Sequence, residues 1–348
     1  MFQSFIFGAL FGFFVLPIVQ LWNFRLSFPM ACLAFLLNIL NDALFYGKSA
    51  YDAPTFIWRR NLTQKVMRFL ESFLHKNKKF IRKVYQTKAR DGSIIEFEMI
   101  RSASDVDATL PLLYFVHGGG WVSDYELLYV PAYHDIIERT HCAVCYVHYR
   151  LAPEVKFPVP INDSDDVLRY VLDHAEEYKI NPELTYLIGD SAGGHICADM
   201  MFRFAKENYK YKIRQNFAIY PAADTRQMSK SDATKGLYYG LTNYHMGCFV
   251  SYFYHSIDEF CSPEGSPCIY DPELTCEMYV PPTYIFVDEH DICRDGGIEY
   301  KEKLLKLNKE VHFEEFKGAV HACWLIPSMQ QHINSIVENA MLNILLLL

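Results

Sequence analysis

The chain has 348 residues, which is long enough for one large domain with a short appendage and does not require two domains. A net charge of −8 and scattered Lys and Arg residues argue against a nucleic-acid-binding protein, which would carry a basic stripe. Of the ten cysteines, only Cys142 and Cys145 have the Cys-x-x-Cys spacing. They lie in what reads as a buried strand, where cysteine usually behaves as a small apolar residue, and this argues against a structural zinc site.

The first 24 residues predict a membrane anchor. They carry no charge, and Phe5 to Trp22 is nearly all apolar, which is at the lower limit of a membrane-spanning length. A cleaved signal peptide would begin with basic residues, and this N-terminus has none. We therefore expect residues 1–24 to be an uncleaved anchor.

Residues 25–79 form a second apolar segment and a cap or linker region. The run from Phe28 to Phe45 is interrupted by Asn38, Asn41 and Asp42. It is compatible with a second membrane segment, an interfacial helix, or a helix that packs under the main domain.

Two signals disagree about membrane orientation. Basic residues after the first segment, including Arg25, Lys48 and Arg59, favour a cytosolic body. The acceptor sequon Asn61-Leu62-Thr63 is usable only on the lumenal side. The residues themselves leave the orientation open.

Residues 80–348 alternate short apolar runs with helical patterns, which predicts an α/β catalytic domain with a mainly parallel sheet. The predicted strands are 84–87, 94–97, 110–116, 143–147, 185–188, 216–220, 283–287 and 311–316, and the predicted helices are 125–140, 164–178, 192–206, 296–308 and 327 to the terminus. The first two strands flank Asp91-Gly92, a favoured hairpin turn. Residues 224–280 break the rhythm and predict an inserted cap.

Ser191 lies in Gly189-Asp190-Ser191-Ala192-Gly193, a match to the Gly-x-Ser-x-Gly nucleophile elbow. A predicted strand leads into it and a predicted helix follows. A sharp strand-to-helix turn holds the serine in a strained conformation and lifts its hydroxyl above the sheet. The N–H of Ala192, at the helix start, would then face a developing oxyanion.

His117-Gly118-Gly119-Gly120 directly follows the predicted strand 110–116. Three glycines allow the main chain to approach a substrate carbonyl and to turn N–H groups toward it. No Gly-Lys-Ser/Thr follows, which excludes a P-loop.

Ser191 needs a base and an orienting carboxylate, which follow the serine in the order Ser, Asp/Glu, His in this fold. Asp291 and His321 each lie just past a predicted strand, where side chains reach the carboxyl edge of the sheet. We favour these two over their rivals. The rivals are Asp288, Glu289 and Asp295 for the carboxylate, and His290 and His312 for the base.

These motifs together resemble the hormone-sensitive-lipase family of esterases over about residues 110–325. The residues that carry the resemblance are His117 to Trp121, Tyr149 to Glu154 with Phe157, Pro158 and Asp163, and Gly189 to Gly194. Within the family, the apolar N-terminus and Asp291 to Asp295 resemble the arylacetamide deacetylase branch.

The resemblance implies a triad of Ser191, Asp291 and His321, with an oxyanion hole from the N–H groups of Gly118, Gly119 and Ala192. It also implies a lid from the N-terminal region and the insertion, and a type II protein of the endoplasmic reticulum with a lumenal catalytic domain. In the shared Tyr149 to Asp163 pattern, we expect Arg150, Glu154 and Asp163 to form structural ion pairs.

The predicted reaction is hydrolysis of lipophilic carboxylic esters through an acyl-enzyme, with acylglycerol, acetylated lipid or aryl acetyl substrates. We expect no cofactor or metal and infer no obligate protein partner. Two alternatives stay open: an inactive ligand-binding receptor on the same fold, and an amidase or deacetylase using the same triad. Cys261, Cys268 and Cys276 could pair in an oxidising compartment, in an order that the sequence does not give.

Overall fold

The computed structural model describes residues 26–74, 78–236, 239–270 and 278–345. The predicted anchor at residues 1–24 and Cys276 lie outside the described residues. Eight described strands form one sheet in the order β1-β2-β4-β3-β5-β6-β7-β8. They are β1 (Phe80–Lys88), β2 (Ile94–Ser102), β3 (Leu110–Val116), β4 (Ala143–His148), β5 (Ile180–Asp190), β6 (Ile213–Ile219), β7 (Thr283–His290) and β8 (Val311–Val320).

The sheet is antiparallel only at its beginning. β1 pairs with β2 around the predicted Asp91-Gly92 turn, and β2 pairs with β4 in the antiparallel sense. The pairs among β3 to β8 are all parallel. The predicted α/β class is therefore confirmed, and the carboxyl ends of six strands lie along one edge.

Ten α-helices accompany the sheet in the described residues. They are α1 (Phe28–Phe45), α2 (Ala53–Leu74), α3 (Val130–Thr140), α4 (Val159–Asp173), α5 (Ala192–Glu207), α6 (Lys230–Lys235), α7 (Asn243–Phe253), α8 (Ile257–Phe260), α9 (Arg294–Lys306) and α10 (Pro327–Leu345).

Two predicted helices have different bounds, and proline explains where they begin. The helix expected from residue 125 begins at Val130, and the one expected at 164–178 spans Val159–Asp173. Each has a proline in its first turn, Pro131 and Pro160, where the missing N–H has no helical partner to lose.

β3 shows how the sheet is buried on both faces. Leu112, Tyr114 and Val116 belong to one apolar core, and Leu113 and Phe115 to the other. All five side chains are fully buried. The continuous apolar run that predicted this strand therefore reflects a position in the middle of a sheet covered by helices on both sides.

The N-terminal helices and the insertion together form a cap. Phe45 at the end of α1 stacks on Phe56 of α2, with ring centroids 5.2 Å apart, and meets Phe249 of α7 edge-on at 5.0 Å. Asp42 pairs with His245 of α7 at 3.0 Å. The cap predicted from the N-terminal region and residues 224–280 is thus one packed unit.

Among the described residues, α1 is the one helix that is long and apolar enough to span a membrane, and 39% of it is buried inside the protein. Of the three structures compatible with the run from Phe28 to Phe45, the protein adopts a helix packed on the catalytic domain. It lies in the cap rather than under the domain.

The described cysteines are free thiols. Cys142 and Cys145 are buried around β4, as expected of small apolar residues. Cys261 is exposed and Cys268 is buried, and neither is in a disulfide.

The Phe45 contacts predict that the cap depends on this ring. Phe45→Ala should destabilise the α1 packing by about 3–5 kcal/mol, because it removes a fully buried aromatic side chain. Native-state hydrogen exchange should show α1 amide protection falling at least about 100-fold. Phe313→Ala, at a half-exposed ring on β8, should leave α1 protection unchanged. Equal loss in the two variants would contradict this account.

Candidate active site

Ser191 lies at the sharp turn between β5 and α5. Its backbone has φ 51° and ψ −118°, in the left-handed half of φ space that a non-glycine residue rarely occupies. The Ser191 N–H donates to the carbonyl of Ile219 at 2.9 Å, which ties the turn to β6. A Cβ on Gly193 would lie 2.0 Å from the Val116 carbonyl oxygen. Glycine is therefore required there by the close approach of α5 to the end of β3.

The structure brings the three predicted residues into one hydrogen-bonded chain. Ser191 Oγ lies 2.9 Å from His321 Nε2, and His321 Nδ1 lies 2.7 Å from Asp291 Oδ2. All three side chains are buried. The second carboxylate oxygen of Asp291 accepts the Cys293 N–H at 3.0 Å, which fixes its rotation. The Nδ1 proton of His321 is thus directed at Asp291, and Nε2 faces the hydroxyl.

Opposing effects set the pKa of His321. Burial of the ring acts to lower it, but the negative charges of Asp291, Asp288 and Asp190, together with the Asp291 hydrogen bond, raise it above the ordinary histidine value. A raised pKa makes the imidazole a stronger base toward the Ser191 proton.

The rival carboxylates have other partners. Asp288 is fully buried and accepts from the Cys323 thiol at 3.1 Å. Glu289 and Asp295 accept from backbone N–H groups at 2.8 Å. Only Asp291 among these four contacts His321 by a hydrogen bond in the described structure.

The rival histidines contact other residues. The His290 ring stacks on Tyr239, with centroids 4.7 Å apart. His312 is exposed on β8 and pairs with Glu310 at 2.9 Å. Neither is hydrogen-bonded to the serine hydroxyl.

The glycine loop departs from expectation at Gly118. Its N–H donates to Asp190 Oδ1 at 2.7 Å and lies 3.1 Å from the Tyr129 hydroxyl, so it is not free to serve an oxyanion. Gly118 also does not line the cavity at Ser191, whereas Gly119 and Ala192 do. The expectation for Gly118 is therefore wrong, because the Asp190 carboxylate takes that donor.

Gly120 replaces Gly118 among the residues that face the serine. It lines the cavity together with Gly119, and no hydrogen bond occupies either N–H group among the described residues. Gly119 has φ 108°, and a Cβ there would lie 2.2 Å from the Ser123 carbonyl oxygen. Gly120 could have been predicted from the sequence, because it is the third glycine of the His-Gly-Gly-Gly motif.

A buried histidine that the motifs did not identify connects the loop to the cap. Trp121 Nε1–H donates to His195 Nδ1 at 3.1 Å, and His195 Nε2 donates to the Glu264 carbonyl at 2.7 Å. Burial lowers the pKa of His195 to about 4, so the ring stays neutral. One neutral tautomer thus joins the glycine loop, α5 and the insertion.

The expected ion pairs are present beside the loop. Arg150 makes a two-point contact with Asp163, at 2.9 and 2.7 Å. Glu154 pairs with Arg60 of α2. These residues support the loops and do not contact Ser191.

The cavity in front of Ser191 has a volume of about 90 Å³ and is mostly apolar. Two cap elements wall it opposite the glycine loop: α1 and the insertion. Their lining residues are Leu37, Leu40, Asn41, Leu241, Met246 and Phe249.

Three groups of described side chains have the composition of a metal site, and in the third, formed by Asp224, Cys268 and Glu299, the Arg226 guanidinium pairs with both carboxylates. In the first, donor atoms of Asp291, Cys293 and His321 lie within 4.8 Å of one another, but the carboxylate and imidazole are already paired. In the second, Glu98, Glu126 and His148 are similarly close, but the Arg82 guanidinium pairs with both glutamates. Acid–base chemistry therefore suits the first group, and a structural ion cluster describes the second.

Comparisons with known proteins show the family and the fold of the chain. Residues 113–325 match the α/β-hydrolase fold family. An esterase from Gibberella moniliformis is 29% identical over 232 residues, which cover 67% of this chain and 73% of the relative. The arylacetamide deacetylase of Oryctolagus cuniculus is 36% identical over 125 residues, covering 33% of this chain and 30% of the relative. A fungal esterase structure from Rhizomucor miehei superposes with a TM-score of 0.77 at 23% identity, covering 88% of this chain and 94% of the other.

The His321–Asp291 pair predicts a pH dependence. Fluorophosphonate labelling of the protein should slow as the pH falls and His321 takes up a proton, with a midpoint above pH 6.5 because the folded-state pKa is raised. Asp291→Asn should move the midpoint to lower pH, because the neutral amide no longer stabilises the imidazolium. Asp295→Asn is the control and should leave the midpoint in place. The test is to measure the labelling rate of each variant between pH 5 and 9. If Asp291→Asn does not shift the midpoint, the proposed pairing of His321 with Asp291 is refuted.

Proposed function

The chain belongs to the α/β-hydrolase fold family, among the hormone-sensitive-lipase-like esterases, and we propose that Ser191, His321 and Asp291 are its catalytic triad. Its relatives and structural neighbours are esterases, and the chain is a carboxylic ester hydrolase. The observation that carries the residue assignment is the buried hydrogen-bonded chain of 2.9 and 2.7 Å from the serine hydroxyl to the Asp291 carboxylate.

The first half of the proposed reaction forms an acyl-enzyme. His321 Nε2 takes the Ser191 proton as Oγ attacks the ester carbonyl carbon, and Asp291 stabilises the resulting imidazolium. The tetrahedral intermediate collapses when His321 returns that proton to the alcohol oxygen, which leaves with its bond to the acyl carbon broken.

The second half releases the acid. A water molecule gives a proton to His321 Nε2 and attacks the acyl carbon, and the proton then returns to Ser191 Oγ as the ester bond to the enzyme breaks. The enzyme ends each cycle in its starting protonation state.

We assign the oxyanion hole to the N–H groups of Gly119, Gly120 and Ala192. Ala192 is at the start of α5, where the helix leaves its first N–H groups without helical partners. Removal of one such donor typically costs about 2.7–4 kcal/mol in the transition state. Rigid placement of this loop therefore matters as much as the triad.

The preferred substrates are lipophilic esters with a short acyl group. The small apolar cavity at Ser191 favours a short acyl chain, and the α1 and insertion residues favour an apolar alcohol portion. The relatives include an arylacetamide deacetylase, so acetyl esters and aryl acetamides are the first compounds to compare.

Ser191→Ala tests the triad. It should abolish fluorophosphonate labelling and lower ester kcat/KM on the order of 10⁴-fold or more, because the attacking oxygen is gone. Ser335→Ala, at a half-buried serine of α10 whose hydroxyl donates to the His332 carbonyl, is the matched control and should retain both properties. A profile over acetate, butyrate and decanoate esters and one aryl acetamide should give the largest kcat/KM for acetate. Labelled, active Ser191→Ala protein would refute the assignment.

We also propose that residues 1–24 anchor the protein as a type II membrane protein with the catalytic domain in the endoplasmic reticulum lumen. The uncharged and largely apolar sequence from Phe5 to Trp22 supports this anchor. Asn61 of the sequon is exposed on α2, where a glycosyltransferase can reach it.

Glycosylation at Asn61 tests the orientation. Endoglycosidase treatment of protein from a eukaryotic host should increase electrophoretic mobility by one glycan, and Asn61→Gln should remove that shift. Absence of the shift in the wild-type protein, with normal expression, would contradict a lumenal domain.

A further inference from the structure

α2 carries an exposed apolar stripe. Trp58, Leu62, Val66 and Phe69 follow one another at intervals of four, four and three residues, which places them on one face of a helix. Each side chain is about half or more exposed, from 49% for Val66 to 65% for Trp58. Such a row of large apolar residues on a surface marks an interaction site.

The opposite side of α2 is fixed to the catalytic domain. Phe56 is fully buried in the cap. Arg60 is buried and donates to the carbonyls of Val122 at 3.3 Å and Ala152 at 3.2 Å, and it pairs with Glu154. These contacts hold α2 to the loops beside Ser191, so the stripe has one fixed orientation on the outside of the cap.

Basic residues lie beside the stripe. Between residues 53 and 69, α2 has no acidic residue and carries Arg59, Lys65 and Arg68 besides the buried Arg60, and Glu71 follows in the last part of the helix. Lys65 and Arg68 are exposed. A helix with Trp, Phe and Leu on one face and Lys or Arg beside it is typical of interfacial binding to membranes with anionic headgroups.

Two further features place a bilayer next to this surface. Met1 to Phe24 carries no charge and is largely apolar, and three residues, Arg25 to Ser27, separate it from α1. α1, which packs on α2 through the Phe45–Phe56 stack, contributes Leu37 and Leu40 to the cavity at Ser191. The stripe and one wall of the cavity therefore belong to one packed unit, and the apolar N-terminal segment precedes this unit in the sequence.

We propose that the stripe formed by Trp58, Leu62, Val66 and Phe69 docks on the surface of a lipid bilayer that contains anionic lipids. This contact is additional to the N-terminal anchor, and it holds the cap against the membrane surface. The docking itself is independent of the triad. Its consequence, transfer of lipophilic ester from the bilayer to the cavity beside α1, rests on the proposed esterase function.

A glycan at Asn61 is compatible with this docking. Asn61 is about 100° around the helix from Leu62, on the side of Lys65 and Arg68. It lies beside the stripe, so a glycan extends along the membrane surface rather than between the stripe and the lipid.

Tryptophan fluorescence of the full chain tests the contact directly. The chain has four Trp residues, of which Trp121 and Trp324 are buried. In vesicles of phosphatidylcholine and phosphatidylserine, the difference between wild-type and Trp58→Phe emission reports Trp58. We expect lipids brominated just below the headgroup to quench this difference signal. Aqueous iodide should not quench it.

Two results would overturn the proposal. Quenching by iodide and not by brominated lipid would show that Trp58 faces water. Protection from both quenchers would show that protein covers the stripe, either residues 1–25 or a second copy of the chain.

A matched pair of leucine variants tests the consequence. Leu62 on α2 and Leu305 on α9 are 51% and 46% exposed. Leu62→Glu should lower hydrolysis of an ester dissolved in the vesicle bilayer by about tenfold, since a charge replaces a membrane-contacting side chain. It should leave hydrolysis of a water-soluble acetate ester unchanged, and Leu305→Glu should change neither rate.

These measurements separate the two proposals. If Leu62→Glu leaves both hydrolysis rates unchanged, or lowers both equally, the supply of ester from the bilayer is refuted. A wild-type chain that hydrolyses neither ester would refute the proposed function. The Trp58 quenching would still show whether the stripe docks on the bilayer.

Discussion

The hydrogen bond from Gly118 to the Asp190 carboxylate, 2.7 Å long, fixes the relation between the two halves of the site. Asp190 precedes the serine in the elbow, and Gly118 begins the glycine loop. Burial raises the pKa of Asp190 to about 6, yet the carboxylate keeps this donor and the Tyr129 hydroxyl at 3.2 Å. With this bond and the close contact of Gly193 on Val116, the two glycines that follow Gly118 line the cavity at Ser191.

The cap is joined to this pair by a second buried group. Neutral His195 accepts from the indole of Trp121 and donates to the Glu264 carbonyl, so the glycine loop and the insertion are both hydrogen-bonded to the same imidazole. On the other side, the Arg60 contacts hold α2 to the same loop. The cap is therefore held to the glycine loop through polar contacts, and Phe45 and its aromatic neighbours pack its apolar interior.

Sequence patterns predicted the parts of the site that follow directly from chain order. Ser191, Asp291 and His321 each come just after a strand, and parallel strands bring their carboxyl ends to one edge, so proximity in space follows from the topology. The direction of a main-chain N–H does not follow in this way. Gly118 was misassigned because its partner, the Asp190 side chain, lies 72 residues away in sequence.

The cap shows a second limit. α1 is apolar because it packs against the catalytic domain and lines the cavity, and the same composition is expected of a membrane segment. Its burial depends on Phe56 and Phe249, residues of distant segments whose own periodicity is weak. The pattern from Phe28 to Phe45 therefore permitted three structures, and only the tertiary contacts distinguish them.

A crystal structure of the Ser191 phosphonate adduct tests the central claim most directly, because the phosphoryl oxygen occupies the position of the oxyanion. The account predicts that this oxygen lies about 2.7–3.1 Å from the N–H groups of Gly119, Gly120 and Ala192. The Gly118 N–H should remain on Asp190. A phosphoryl oxygen bound to Gly118, or an adduct on another residue, would contradict it.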